Sequence, residues 1–205
     1  MDEKELKAIV AQFEVEAPVI AVAPLGNGLI NDTYKVTTEG DAPDYVLQRI
    51  NNAIFQDVEL LQHNIEAVTA HIRRKLEAEG ADDIDRRVLR FVPTAEGKTY
   101  WHDDADRYWR VMVFIPRAKT FEAVNPEYSY YAGKAFGHFE AMLVDLDEPL
   151  GETIPDFHNM ELRMRQLRDA VAQDPVGRLA EVKDMVDELE THAEEMCKAE
   201  QMGRD

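Results

Sequence analysis

The amino-acid sequence predicts an α+β fold in which an antiparallel sheet and a long helix precede a purely helical segment. Two observations support this prediction. Between residues 19 and 115, runs rich in β-branched and aromatic residues are separated by short turns, a pattern typical of antiparallel strands. Beyond residue 121, apolar residues recur every three or four positions, as they do in helices. The change falls at residues 116–120, so we expect one domain over residues 1–116 and a second over residues 117–205.

The front domain is predicted to contain two helices and a five-stranded antiparallel sheet. Residues 2–16 carry apolar side chains at helical spacing, and Pro18 ends that helix. A long helix begins at the N-cap Asp57 and ends at Gly80, because apolar residues repeat every three or four positions between them. The strand-like runs cover residues 19–24, the segment from the glycine turn to residue 36, and residues 45–50, 88–92, 97–101 and 108–115.

The back domain is predicted to contain three helices. The first begins at Asn125-Pro126, where an N-cap residue precedes a proline at the first helical position, and its broad apolar face predicts a buried helix. The other two cover residues 160–171 and 179–196. Because large apolar faces are uncommon on monomers, we expect a homo-oligomer through these C-terminal helices. The residues of the first apolar face are Tyr128, Tyr131, Ala135, Phe139, Met142 and Leu146.

The charge balance and the cysteine count exclude several classes of protein. With 23 basic and 41 acidic residues the net charge is -18, so no nucleic-acid partner is expected, because nucleic-acid binders need basic surfaces. The N-terminus has no apolar leader and no run reaches about 18 apolar residues, which argues against secretion and against a membrane partner. The single Cys197 excludes a disulfide framework and fits a reducing, cytoplasmic setting.

Residue types that bind metals occur without metal-binding spacing. The aspartates within residues 103–106 are interpreted as turn residues, because no calcium-loop glycine and closing glutamate follow them. His63, His71 and His192 lie on predicted helices amid polar residues, so we expect them at the surface. We therefore predict no metal ligand in this chain.

A glycine turn between two strands is the feature that points most directly to a ligand. It reads Gly26-Asn27-Gly28-Leu29-Ile30-Asn31-Asp32-Thr33-Tyr34. The two glycines let the backbone take positive φ and approach a ligand without obstruction by a Cβ atom. A strand follows, and neither a third glycine nor Gly-Lys-Ser/Thr is present, so the dinucleotide fingerprint and the Walker loop are excluded. Two interpretations stay open: a cover for nucleotide phosphates, or an ordinary hairpin turn.

Three motifs together resemble a known family. They are the glycine turn, Leu47-Gln48-Arg49-Ile50-Asn51, and Glu152-Thr153-Ile154-Pro155-Asp156-Phe157-His158-Asn159. With the order of helices and strands, they resemble the aminoglycoside phosphotransferase and choline-kinase-like superfamily, in particular its N-acetylhexosamine 1-kinase branch, often labelled mucin-desulfating proteins. The resemblance covers essentially the whole chain. It implies a protein-kinase-like N-lobe, the helical start of a C-lobe, and phosphoryl transfer from ATP, with magnesium, to the anomeric hydroxyl of an N-acetylated hexosamine.

The resemblance implies that the glycine turn and the third strand contact the nucleotide phosphates, through Gly26, Asn27, Gly28, Leu29, Ile30, Asn31 and Thr33 in the turn. Kinases hold these phosphates with a cation on the third strand, paired with a glutamate on the next helix. Here Gln48 occupies that place and Arg49 adjoins it. Strand alternation sends the two side chains to opposite faces, so either Gln48 faces the phosphates or a bulge turns Arg49 inward. Glu59 and Glu66 are candidate partners on the helix.

Two further segments are implied as ligand contacts. The hinge, defined as residues 114–116, is expected to offer backbone groups of Phe114 and Ile115 to adenine. Asp156, His158 and Asn159 lie in the most family-specific motif and are candidates for the sugar site, with a loop-capping role as the alternative.

The sequence contains no recognisable catalytic loop. Superfamily members carry an aspartate base, an asparagine metal ligand and a second magnesium-binding aspartate, and nothing after Asn159 resembles these residues. The sequence ends at Asp205, where that loop would be expected next, so we expect an N-terminal portion of the family fold. Such a chain would have no catalytic residue, would bind ATP weakly at best and would transfer no phosphate to a sugar. The alternative is a non-catalytic nucleotide-binding or interaction module derived from the kinase fold.

Overall fold

The computed structural model describes residues 1–26, 28–121, 123 and 125–202, and for residues 199–202 it describes the backbone alone. Contacts between Cα atoms group the chain into two compact units, Met1–Thr153 and Ile154–Asp205. The lobe boundary predicted at residues 116–120 lies within the first unit and stays a prediction.

An antiparallel sheet forms the centre of the first unit. Its strands are β1 (Val19–Pro24), β2 (Asp32–Thr38), β3 (Tyr45–Ile50), β4 (Phe91–Val92), β5 (Trp101–His102) and β6 (Tyr108–Val113). The order across the sheet is β1-β2-β3-β6-β4, and β5 pairs with the start of β6. All these pairings are antiparallel. The predicted α+β class is therefore confirmed.

One face of the sheet is covered by α1 (Glu3–Val10), which begins at the N-cap Asp2. Because side chains alternate along a strand, every second residue of the central strands points toward this helix. Burial of each such large apolar side chain contributes about 1.5–3 kcal/mol. The resulting core contains Leu6, Ile9, Val10 and Phe13 together with Val22, Val36, Tyr45, Leu47, Val92, Trp109 and Val111.

The other face of the sheet meets the long helix α2 (Val58–Ala78). Its predicted N-cap is confirmed, because Asp57 Oδ1 accepts a hydrogen bond from the Leu60 N–H at 2.8 Å. The C-terminal half of α2 contributes Ile72 and Leu76 to a second apolar cluster, which includes Met142. The N-terminal half of α2 presents polar side chains to the sheet instead.

Helix α2 is also tied to the segment that follows α4 (Pro126–Leu143). Asn64 Nδ2 donates to the Gly151 carbonyl at 2.7 Å, and the Gly151 N–H donates to Asn64 Oδ1 at 3.0 Å. His71, predicted at the surface, is only 7% exposed, so that prediction is wrong. Its Nε2 lies 2.9 Å from the Met142 carbonyl and 3.2 Å from Asp145 Oδ1, and these polar partners make its burial tolerable.

The prediction of a buried helix at residues 128–146 is wrong in one respect. Helix α4 forms with Asn125 as its N-cap, as predicted, but Met142 is its one buried residue. Tyr131 is 55% exposed and Phe139 is 44% exposed. The reason is that α4 contributes to the apolar cluster on α2 only near its C-terminal end. Periodicity identifies the apolar side of a helix, but it does not show whether another element covers that side.

The short strands also differ from the prediction. Of residues 88–92 only Phe91–Val92 form a strand, and residues 84–87 form the helix α3 (Ile84–Arg87). Of residues 97–101 only Trp101 is in a strand, because the Gly97 N–H donates to the Thr94 carbonyl at 2.8 Å and closes a turn. Among the described residues the sheet has six strands, one overlapping each of the six strand-like runs and one more than the five strands predicted for the sheet. Two of these strands are two residues long.

The second unit contains α5 (Met160–Gln173) and α6 (Leu179–Met202). Helix α5 begins at the N-cap Asn159 and ends at Asp174, whose left-handed conformation stops the helix before Pro175. An ion pair between Arg168 and Glu190, at 2.7 Å, joins the two helices.

No helix among the described residues has the length and apolar character needed to cross a membrane.

Candidate functional site

The glycine turn leads from β1 into β2 and lines a small cavity. Gly26 has φ of +73°, a left-handed conformation that glycine adopts without strain. A cavity of about 200 Å³ is bounded by Gly26, Gly28, Asn31 and Thr33 with their neighbours. Asn27, predicted to contact the nucleotide, lies outside the described residues. The described part of the turn therefore borders a space that a small group can enter.

Asn51, the last residue of the second motif, holds the base of this turn. Its N–H donates to Asn31 Oδ1 at 2.9 Å, and its Nδ2 donates to the Ile30 carbonyl at 3.2 Å. The side chain of Leu29 is fully exposed and Ile30 is 49% exposed. The turn thus has a base fixed to the end of β3 and an apolar tip in solvent.

Gln48 and Arg49 lie on opposite faces of the sheet. Arg49 pairs with Asp32 in the strand register, and its Nε lies 2.7 Å from Asp32 Oδ2. Gln48 is opposite Thr33 and donates from Nε2 to Thr33 Oγ1 at 3.0 Å. The register of β2 and β3 is regular over these residues, so no bulge turns Arg49 inward. Of the two residues, Gln48 lies on the face that meets α2.

Arg110, in the middle of β6, is the cation beside Gln48. Its Nε and Nη2 donate to Gln48 Oε1 at 3.0 and 2.6 Å, and its Nη1 donates to Gln62 Oε1 at 2.9 Å. Among the described residues no carboxylate forms an ion pair with this guanidinium. Burial lowers the pKa of Arg110 to about 10, so the group keeps its charge at neutral pH.

Gln62 is the α2 residue that faces this network, and it is 2% exposed. Its Nε2 donates to Thr99 Oγ1 at 2.9 Å, and the Thr99 hydroxyl in turn donates to Glu66. The other candidate partner, Glu59, accepts a hydrogen bond from the Tyr100 hydroxyl at 2.6 Å. Partial burial, followed by this contact with Glu59, raises the pKa of Tyr100. Both glutamates therefore bond to residues 99–100, and neither is bonded to Gln48.

Parts of the hinge backbone are already hydrogen-bonded. The Phe114 N–H donates to the Asp44 carbonyl at 2.9 Å, and Arg86 Nη1 donates to the Pro116 carbonyl at 2.8 Å. A nucleotide base at the hinge would therefore have to use the Phe114 carbonyl or the backbone of Ile115.

In the second unit, the predicted sugar-site residues form a structured loop before α5. Asn159 Oδ1 accepts from the Leu162 N–H at 2.9 Å, and Asn159 Nδ2 donates to Asp156 Oδ1 at 2.7 Å. Asp156 has φ of +59°, and the His158 ring meets the Phe157 ring edge-on at 4.7 Å. Asn159 thus has a capping role, whereas a sugar contact by His158 stays a prediction.

The described residues offer no metal site. No group of three or more His, Cys, Asp or Glu side chains in that part of the chain is placed to hold a metal ion.

Sequence reasoning missed the two residues that complete the network with Gln48. Arg110 was detectable, because it is the single charged residue in the otherwise apolar strand Tyr108–Val113. Gln62 carried a weaker signal, since a glutamine on an amphipathic helix is usually exposed. Its burial follows from the position of Arg110, which the sequence alone does not give.

No protein-family model matches the sequence. Among solved structures, the chain is similar to spectinomycin phosphotransferase APH(9)-Ia in complex with ADP and spectinomycin, with a TM-score of 0.53 and 13% sequence identity. The match covers 95% of this chain and 59% of that chain, so this chain spans less than two thirds of the phosphotransferase. At this identity the likeness establishes the fold alone, a mixed α+β fold like the N-lobe and the start of the helical lobe of that protein.

Proposed function

We propose that this protein is the nucleotide-binding part of an ATP-dependent small-molecule kinase. The observation that carries the proposal is the fold, which resembles that of a phosphotransferase described with ADP. Phosphoryl transfer depends almost entirely on positioning the phosphates and neutralising their charge. The glycine turn and the polar groups on the α2 face of the sheet supply the kinds of donor that such positioning requires.

The proposed nucleotide contacts fall in three places of the first unit: the glycine turn, the hinge and β3. Backbone N–H groups in the described part of the glycine turn, among them those of Gly26 and Gly28, are the proposed donors to phosphate oxygens. Phe114 and Ile115 at the hinge are the proposed contacts for adenine. Gln48 lies on the face of β3 that meets α2, and its side chain donates a hydrogen bond to Thr33 in the turn. Arg49, which is paired with Asp32 on the opposite face, is the weaker candidate.

The proposed substrate is an N-acetylhexosamine-type sugar. The support is the resemblance of the 152–159 segment to the corresponding motif of sugar 1-kinases. In this segment Asn159 already caps α5, so His158 is the polar side chain best suited to a sugar hydroxyl. Spectinomycin, which accompanies the similar phosphotransferase, is a useful comparison substrate.

We further propose that this chain by itself transfers no phosphate. Catalysis in this reaction class needs a carboxylate base and residues that hold magnesium. The described residues include no cluster that fits such a metal. General-base catalysis alone contributes about 100- to 10,000-fold, so loss of the base together with both metal sites should leave no measurable turnover.

A non-catalytic nucleotide-binding or interaction module is the second candidate. The exposed aromatic side chains of α4 favour it, because they offer an apolar surface to another protein. The two candidates differ in whether a sugar-dependent reaction can be measured.

Calorimetry with ATP and magnesium, combined with a coupled ADP assay, tests the proposal. We expect weak ATP binding and no ADP release with N-acetylglucosamine, N-acetylgalactosamine or spectinomycin. Sugar-dependent ADP release that persists after repurification would contradict the proposed inactivity. Absence of any ATP binding would contradict the nucleotide-binding proposal itself.

A further inference from the structure

Arg110 carries a largely buried positive charge, and no carboxylate among the described residues contacts its guanidinium. The hydrogen-bond acceptors of its guanidinium are the neutral amide oxygens of Gln48 and Gln62. The nearest carboxylate in the network is Glu66, which is separated from the guanidinium by Gln62 and Thr99. Burial of a charge is unfavourable unless an opposite charge compensates it. An anionic ligand would supply that compensation.

The hydrogen-bond inventory of the guanidinium leaves room for such a ligand. Arginine has five N–H donors, and the three described bonds use one each on Nε, Nη1 and Nη2. Each terminal nitrogen therefore keeps one N–H without an acceptor among the described residues. Two N–H groups on adjacent nitrogens match the oxygens of a phosphate.

A hydrogen-bonded path joins Arg110 to the cavity of the glycine turn. Gln48 accepts from Arg110 through Oε1 and donates through Nε2 to Thr33 Oγ1, and Thr33 lines that cavity. Since Thr33 Oγ1 accepts this bond, its own hydrogen remains available to another acceptor. Each hydrogen bond on this path is donated toward the turn, so the path ends in a hydroxyl that can donate to an anion there.

We propose that Arg110 is the phosphate-binding cation of this protein, supplied from β6 in place of a lysine on β3. Gln48 is its positioning residue, because it lies on the adjacent strand and accepts two hydrogen bonds from the guanidinium. Its amide nitrogen in turn donates to Thr33. The ligand class is the polyphosphate chain of a nucleotide. This assignment rests on the proposed nucleotide-binding function and deepens it.

Titration calorimetry on the full chain tests the assignment, with ATP, adenosine and inorganic tripolyphosphate as ligands. The variants are Arg110→Met, which removes the charge but keeps an apolar stem, and Gln62→Glu, which gives the guanidinium an internal carboxylate. Arg73→Met is the matched control, because Arg73 lies on α2 and pairs with Asp85 at 2.8 Å. Thermal melts verify that each variant folds. If Arg110→Met does not fold, Gln62→Glu still tests the assignment.

Loss of a charged hydrogen-bonding partner weakens binding by roughly 10- to 100-fold. We expect this loss of ATP affinity in Arg110→Met and a loss of about tenfold or more in Gln62→Glu, with adenosine binding and the Arg73→Met control unchanged. Unchanged ATP affinity in both variants would overturn the role of Arg110 while leaving nucleotide binding intact.

The failure of nucleotide binding has a separate signature. If the unaltered chain binds neither ATP nor adenosine, the proposed function fails. If that chain still binds tripolyphosphate and Arg110→Met weakens this binding, the result supports an anion site at Arg110. Absence of tripolyphosphate binding as well would overturn the site.

Discussion

Asp103 accepts four hydrogen bonds at the turn before β6. Its donors are the N–H groups of Ala105 and Arg107, the Arg107 guanidinium and the Trp109 indole, at 2.7–3.1 Å. Burial alone would raise the pKa of this carboxyl, but the hydrogen bonds from Arg107 and Trp109 outweigh it and lower the pKa. The aspartates here are turn residues, as the sequence predicted, and Asp103 also anchors the central strand.

The lowered pKa gives a pH-dependent prediction. A carboxyl whose pKa is lower in the folded state stabilises the fold above its unfolded pKa, about 3.9, and loses that effect as pH falls through the folded value. We expect Asp103→Asn to reduce the free energy of unfolding by about 2 kcal/mol at neutral pH. The difference from the unaltered chain should shrink below about pH 4. Urea denaturation at several pH values measures it.

Asp106→Asn is the control for this prediction, because the Asp106 side chain is 79% exposed and lies in the same turn. Its effect should be small at every pH. Equal effects of the two substitutions, or a difference that persists unchanged at pH 3, would contradict the account of Asp103.

At the scale of elements, the sequence predicted what depends on local chemistry. Helix α2 has its cap at Asp57, and β1 and β3 have the predicted bounds, because caps, turns and apolar patterns are local signals. The strands β4 and β5 were poorly predicted, since a two-residue strand exists only through its pairing with β6. The Gln48–Arg110–Gln62 network joins three elements, so no local pattern reveals it.

The contact between α2 and the segment after α4 also gives a prediction. A Cβ atom added at Gly151 would overlap Leu60 Cδ1, because the Leu60 side chain packs directly against this glycine. Gly151→Ala should therefore destabilise the fold by about 1 kcal/mol, because the half-buried Leu60 side chain has to move aside. In a double-mutant cycle, Leu60→Ala should remove much of this penalty, because it removes the atoms that clash. Chemical denaturation of the four proteins provides the values, and additive effects would contradict the contact.

At the scale of the whole molecule, α4 presents large apolar side chains to solvent. Tyr130 is 66% exposed and Phe136 is 70% exposed. Such surfaces favour association, whereas the net charge of -18 opposes it through repulsion. We expect a dimer or larger species at physiological salt, where repulsion between separated charges is screened.

Light scattering on the purified chain at several concentrations measures this association. Phe136→Lys should shift the distribution toward monomer, and Glu140→Gln, an exposed substitution on the same helix, should not. A monomer at high concentration and physiological salt would count against association through α4.

We propose that the glycine turn, β3 and the hinge form one nucleotide site. Backbone NMR of the isotopically labelled chain, titrated with ATP and magnesium, tests it most directly because each amide reports its own environment. We expect concentration-dependent chemical-shift changes that are largest at the amides of Gly26, Gly28, Thr33, Gln48 and Ile115. Unchanged spectra at millimolar ATP, or shifts confined to other parts of the chain, would contradict it.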